Sequence, residues 1–397
     1  MQNERKRILT MLENGTISME EALTLLETME KKQTGNPSST ASEQSQSENV
    51  YRNTEGAEER KSDSSFRGNQ GSDDSHNPSM DEFIEDIRKD FVTVGDRFMQ
   101  FMQTAVDRMK KFDFDTPFGG GTTFSHTMIK AAEDIEEIII DVDHGNVTVE
   151  TADVQEIRAE FTVKNFNNKN EEETKKEFLD KVVFVQDEGT LRLLSDLKLM
   201  QVNVTLLLPN EAYHKASVRL LNGDFTIADL KAERIYVKTA NGKVEANGLQ
   251  FDAAELETAN GSIRLNGSTG AQLSAETING RVYIDGALKD VEAKSLNGAV
   301  VVTTTDKAAE KIEAKTVSGS VEIYIPSELP LDGHISTNMG KLDLQLNDVD
   351  KTTEQEQFLQ RSVSFKKHAE GETKPLHIQG EAKTGTVIVC YNVNHSA

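Results

Sequence analysis

From about residue 131 almost to the C-terminus, apolar and polar residues alternate at a period of two, and the alternation breaks at regularly spaced glycines. Around Gly280 the apolar or small positions are Leu273, Ala275 and Thr277, then Val282 and Ile284. Around Gly298 they are Val291, Ala293 and Ser295, then Val300 and Val302. The same frame surrounds Gly242 (Ile235, Val237, Thr239, Val244, Ala246) and Gly319 (Ile312, Ala314, Thr316, Val321, Ile323, Ile325). A period of two puts alternate side chains on one face of a strand, so each unit reads as two half-buried strands flanking a turn. The intervening positions, among them Glu276, Arg281, Asp285, Glu292 and Lys294, are charged and define a wet face.

The turns themselves are periodic. Asn222-Gly223, Asn241-Gly242, Asn260-Gly261, Asn279-Gly280 and Asn297-Gly298 stand 19, 19, 19 and 18 residues apart; Ser318-Gly319 and Met339-Gly340 follow at steps of 21. Such a period marks one supersecondary unit stacked on copies of itself. Glycine reaches positive φ at no steric cost, and asparagine tolerates the left-handed region. Two architectures fit: a meander with Asn-Gly as type I′ hairpin turns, and a β-solenoid whose coils turn a corner at Asn-Gly and stack about 4.8 Å apart. The strict period favours the solenoid, in which the asparagines form a ladder. The expected fold is therefore mainly β: a β-solenoid or β-helix-like stack of 19-residue coils over 131–397, with antiparallel insertions near its ends. The frame returns at Gly145 and Gly385. It is ragged over 151–215, with strands expected near 157–163, 182–185 and 202–208. Residues 167–181 read as a loop or short helix, and 350–374 as a loop or a cap on the stack.

Three segments precede the repeat. In 1–32, Ile8, Leu9, Met11 and Leu12 make an apolar stripe that ends at Asn14-Gly15, a C-cap signal. Ser18 with Glu21 forms a capping box for a second helix lined by Ala22, Leu25, Leu26 and Met29. So short a helical hairpin buries little area alone and calls for a partner or another copy. Residues 33–79 are rich in Ser, Asn, Gln, Glu and Gly and read as a disordered linker. Residues 80–112 predict a long amphipathic helix, with Phe83, Ile87, Phe91, Val94, Phe98, Met102, Ala105 and Met109 at steps of three and four. Acids lie near its start (Asp81, Glu82, Glu85, Asp86) and bases near its end (Arg108, Lys110, Lys111), which complements the helix dipole. It could pack on the β domain, self-associate as a coiled coil, or lie on a membrane surface with Phe and Met inserted. Residues 113–130, with Gly119-Gly120-Gly121, read as a hinge.

Composition narrows the function. The formal net charge of −23 argues against nucleic-acid binding and suits cationic partners such as basic peptides. Cys390 is the single cysteine, so no intrachain disulfide forms. The N-terminal residues lack the apolar core of a signal peptide, and no run of 18 apolar residues occurs, which points to a cytoplasmic or membrane-peripheral location. No nucleophile elbow, phosphate loop or dinucleotide fingerprint appears. The eight histidines lack metal-ligand spacing, and neither a cofactor nor a catalytic residue is expected.

The sequence ILTMLENGTISMEEALTLLETM resembles the N-terminal helical module of YvlB-like and LiaX-like proteins of Gram-positive bacteria. VNVTLLLP followed by VRLLNGDFTIADL and VKTANGKVEANGL, then VEIYIPSELP followed by ISTNMGKLDLQL, resembles the adhesin-type domain of unknown function in the same proteins. The resemblance implies a β-solenoid, a link to the cell-envelope stress response and antimicrobial-peptide sensing, and for some members a cell-surface location. It carries over no catalytic residue. The resulting expectation is a non-enzymatic binding or scaffold protein, with protein contacts or self-association through 1–32 and 80–112. The alternatives are a polysaccharide-binding or carbohydrate-active β-helix, which needs a groove of acids and aromatics beside an insertion although the available Tyr213, Tyr236, Tyr283 and Tyr324 share no repeat position, and a purely structural protein.

Overall fold

The computed structural model describes residues 121–392 apart from 168, 357–360 and 369–373, and only the backbone of 352–356. The expected hairpin 1–32, linker 33–79 and helix 80–112 lie outside the described residues. The chain enters as β1 (Thr122–Ala131), inside the stretch read from sequence as a hinge. That reading rested on Gly119–Gly121, whereas Thr122-Thr123-Phe124 is β-branched and aromatic and turns Phe124 into the core. There follow β2 (Glu137–His144), β3 (Val147–Ala152), β4 (Glu156–Asn165), α1 (Glu171–Lys181), β5 (Val183–Asp187), β6 (Thr190–Ser195) and β7 (Met200–Pro209).

The regular block comprises β8 (Ala212–Asn222), β9 (Phe225–Ala228), β10 (Lys231–Asn241), β11 (Val244–Asn247), β12 (Gln250–Asn260), β13 (Ile263–Asn279), β14 (Val282–Asn297), β15 (Val300–Thr304), β16 (Lys311–Ser318) and β17 (Val321–Ile325). Each coil is a long strand, the Asn-Gly corner and a short strand. Long strands pair with long and short with short, always parallel: Ile235 opposes Ala216 and Ala254, and Val244 opposes Phe225 and Ile263. Parallel pairing at one coil's separation is a solenoid-like stack and excludes the meander. Within each coil the inward side chains form the core, as Ile235, Val237, Val244, Ala246 and Leu249 do, all at 2% exposure or less. Burying one Val, Ile or Leu whole contributes about 1.5–3 kcal/mol. The register skips one residue at the same place in successive coils: it passes from Tyr213 to Lys215, from Ala232 to Arg234 and from Phe251 to Ala253. Both partner strands skip together, so the register is kept across the gap, and Ala232 and Ile235, three apart, both face inward.

The far end contains β18 (Leu331–Thr337), β19 (Leu342–Gln345), β20 (Asp350–Glu356), β21 (Arg361–Lys367), β22 (Leu376–Thr384) and β23 (Val387–Tyr391). Coil order there departs from chain order. The last pair, β22 and β23, sits between β16/β17 and β18/β19, so the Gly340 corner stacks on Gly385 and not on Gly319. The opposite end mirrors this: β2 lies between β6 and β8, and β3 between β7 and β9. Antiparallel strands finish both ends, β1–β4–β7 and β5–β6 at one, β18–β21–β20 at the other. Within the stretch 350–374, β20 and β21 thus form an antiparallel flap on the edge of β18. The stretch 167–181 contains helix α1, capped by the Asn170 side chain accepting from the Glu173 N–H at 2.8 Å.

Candidate functional site

The Asn-Gly corners are the first place to look, because they are the most regular feature. Asn241 Nδ2 donates to Asn222 Oδ1, Asn260 to Asn241 and Asn279 to Asn260, each at 2.8 Å, and Asn297 to Asn279 at 2.9 Å. His144 ends the ladder, its Nδ1 3.0 Å from the Asn222 amide nitrogen. Burial holds the His144 imidazole below its ordinary pKa, which favours the neutral ring that can accept this bond; Asp143 opposes the shift and Lys198 adds to it. The asparagines are not among the residues with left-handed backbone, which outside glycine are Asp134, Glu188 and Asp229 among the described residues. Their contribution is the side-chain ladder. The glycines answer to close approach: a Cβ on Gly242 would lie 1.9 Å from the Gly223 carbonyl oxygen, and one on Gly261 2.0 Å from that of Gly242. Gly280, Gly298, Gly319 and Gly340 stack in the same way. The carbonyls also accept from buried hydroxyls one coil on: Thr258 Oγ1 donates to Gly242 at 2.8 Å, Thr277 to Gly261 at 2.9 Å and Thr316 to Gly298 at 2.7 Å. Alternation read Thr277 and Thr316 only as small inward residues. Along the stack the corner is a structural seam of side-chain hydrogen bonds and close backbone contacts from one coil to the next.

A groove of about 780 Å³ opens where coil order breaks. One register row crosses it from β14 to β21: Asp290, Lys311, His377, Asp332 and Lys366 lie opposite one another in turn. Glu310, His334, Ser364 and Gln379 complete its polar lining. Gly333 lies in the same lining because it faces Phe365 across the strands; a Cβ there would fall 2.1 Å from the Phe365 ring, which is wholly buried. Lys366 pairs with Asp332 at 3.4 Å, and Lys311 with Glu313 at 3.0 Å. Asp290 and Glu310 make no ion pair among the described residues. Burial pushes the Asp290 carboxyl up, against the pull of Lys311. His334 Nδ1 stands 3.0 Å from Ser364 Oγ in an exposed position. No cluster among the described residues could hold a metal ion. The arrangement can bind by ion pairing and hydrogen bonding along an open, polar trough.

The aromatics proposed for a glycan groove lie elsewhere. Tyr213 is buried and donates to the Pro209 carbonyl at 2.8 Å, Tyr236 lies under Lys215, Tyr283 under Arg264, and Tyr324 donates to Glu322. Cys390 is partly buried, and its Sγ donates to Gln345 Oε1 at 3.2 Å. Burial, with the Asp343 and Glu322 charges, raises its thiol pKa, so it is a poor nucleophile. Phe83, Ile87, Phe91, Phe98, Met102 and Met109 fall outside the described residues. The groove residues carry no local motif. Out-of-order insertion of β22 is what assembles them, and only the break in period near 350–374 hinted at the place.

Comparison with known proteins adds the following. Residues 135–374 match the family model Toastrack DUF4097, and residues 3–34 match a SHOCT-like domain. A protein of Bacillus subtilis (strain 168) described as "Uncharacterized protein YvlB" is 31% identical over 392 residues, covering 99% of this chain and all of that one. Among solved structures, a "putative adhesin" of Bacteroides fragilis NCTC 9343 is 12% identical with a TM-score of 0.36, over 68% of this chain and 97% of that chain. Another "putative adhesin", of Parabacteroides merdae ATCC 43184, is 12% identical with a TM-score of 0.32, over 67% and 96%.

Proposed function

Because the chain belongs to the Toastrack DUF4097 family, we propose that it is a non-enzymatic binding scaffold serving the bacterial cell-envelope stress response, with the polar groove as its ligand surface. The observation that carries this reading is a division of labour. The periodic residues are spent on the corner seam and the core, while unpaired acids and two imidazoles collect where the period fails. Lys311 and Lys366 are occupied by Glu313 and Asp332, which leaves the Asp290 and Glu310 carboxylates for a guest. With a net charge of −23 steering association, a cationic peptide segment is the ligand class the groove suits. The stress-response link rests on the resemblance of 1–32 and the β domain to YvlB-like and LiaX-like proteins. Residues 1–32 supply oligomer or regulator contacts, and 80–112 a switchable attachment.

A genetic test addresses the physiological part. A strain lacking the gene should change its sensitivity to a cationic antimicrobial peptide, and the wild-type gene should restore it while Asp290→Asn with Glu310→Gln should not. Equal restoration by both would remove the groove from the function. A polysaccharide-binding reading is favoured by one observation, the position of the acid-lined groove beside the 350–374 insertion. Retention of the chain on insoluble cell-wall glycan, abolished by the same variant, would replace the peptide reading.

A further inference from the structure

A second apolar cluster lies apart from the core. Leu221, Ala240 and Ala259 form it at 7%, 0% and 5% exposure, with Ile278 packed against them. Each is the residue just before a corner asparagine. Their neighbours Thr258 and Thr277 point inward to the glycine carbonyls of the preceding coil, so alternation puts the cluster on the outer face of the long-strand sheet. In register the strip runs Asp143, Leu221, Ala240, Ala259, Ile278, Leu296, Val317, Lys383. It has an acid at one end, a base at the other and only apolar residues between.

We infer that residues 80–112 dock along this strip of their own chain as an amphipathic helix. Three matches support this occupant. Eight strands at about 4.8 Å make a strip about 34 Å long, and the Phe83–Met109 stripe spans about 39 Å at 1.5 Å per helical residue. With the helix end at the Asp143 end, the small side chains of Ala259 and Ala240 fall level with Phe98 and Met102 and leave space for them. The second match is the point of entry. Thr122 opposes Asn165, which opposes Met200, and His126 falls level with Val204 and Val147. Met200 lies two residues before Val202, whose carbonyl abuts Gly145, so the start of β1 lies near the Gly145 corner at which the strip begins. Residues 113–121 can span up to about 30 Å, so the end of the segment at 112 reaches that corner. The third match is polarity. A helix ending there sets Arg108, Lys110 and Lys111 towards Asp143 and Asp81, Glu82, Glu85 and Asp86 towards Lys383. The inference stands whether or not the groove binds a peptide.

Hydrogen–deuterium exchange on the full chain at two protein concentrations tests it. The amides of 80–112 should exchange at least tenfold more slowly than those of 33–79, equally at both concentrations. Ala240→Glu with Ala259→Glu should raise their exchange to the rate of 33–79. Because that pair could disturb the stack, Phe91→Ser with Phe98→Ser must do the same while the amides of β10 and β12 stay protected. Exchange of wild-type 80–112 as fast as 33–79 would overturn the inference. So would protection that grows with concentration, which would mean a second copy, protection seen only with anionic vesicles, or protection indifferent to both variants.

Discussion

Asn260 and Gly261 are neighbours in one corner but face different limits. Asn260→Ala removes two exposed ladder bonds, to Asn241 and from Asn279, and should cost about 1–2 kcal/mol. Gly261→Ala places a methyl 2.0 Å from the Gly242 carbonyl oxygen. The coils must then part, at about 3 kcal/mol or more. Equilibrium urea unfolding of the two variants should rank them in that order; an equal loss would mean that close approach is not the constraint. His144 makes the ladder pH-sensitive. Its folded pKa lies below the ordinary value of 6.5, so between the two values the unfolded chain binds more protons. Stability from this group is complete above pH 6.5 and falls as pH drops through the folded pKa. His144→Asn keeps an acceptor without a titrating group, and should flatten the fall in Tm between pH 7 and 5 relative to wild type. At this scale the sequence was legible for position and less so for cause. The period located the corners from Gly223 to Gly298 and with them the asparagine ladder, but not the second turn of each coil, where Asn266 donates to Asn247 in the same way at 3.0 Å. The left-handed backbone it allowed for asparagine is not used, and the hydroxyl of Thr277 looked like filler because alternation reports direction and not bonding.

Helix α1 closes one end of the stack through two buried residues, Phe178 and Thr174. Phe178 is fully buried and meets Phe124 and Phe161 edge-on at 5.6 and 5.2 Å. Asn165 Nδ2 also ties the sheet to the helix through Thr174 Oγ1 at 2.9 Å. Phe178→Ala should cost about 3–5 kcal/mol, far more than the low apolarity of the segment Glu171–Lys181 suggests. A chemical-denaturation midpoint within error of wild type would show the helix to be dispensable. Element types could be read because a period of two survives wherever one face is buried, as in Ile312–Ala314–Thr316. Coil order could not. Pairing of β22 with both β16 and β18 depends on contacts between segments tens of residues apart, and the local frames around Gly319, Gly340 and Gly385 are interchangeable. The same blindness hid the groove, since Asp290, Lys311, His377 and Asp332 share a row only after β22 has been inserted.

For the whole molecule, an acidic repeat stack with a structural corner seam presents two candidate surfaces among the described residues: the end groove, where the repeat breaks, and the apolar strip, which the repeat itself builds. They make different demands on a partner: the groove offers charge, the strip a dry, narrow apolar track bounded by Asp143 and Lys383. The central claim is that ligand binding belongs to the groove and not to the Asn-Gly corners. Isothermal titration of the full chain with an oligolysine peptide at low ionic strength tests this most directly. Asp290→Asn with Glu310→Gln should weaken the affinity at least about tenfold, or 1.4 kcal/mol, while Asn260→Ala leaves it unchanged. Unchanged affinity in the groove variant, or an equal loss in Asn260→Ala, would contradict the claim.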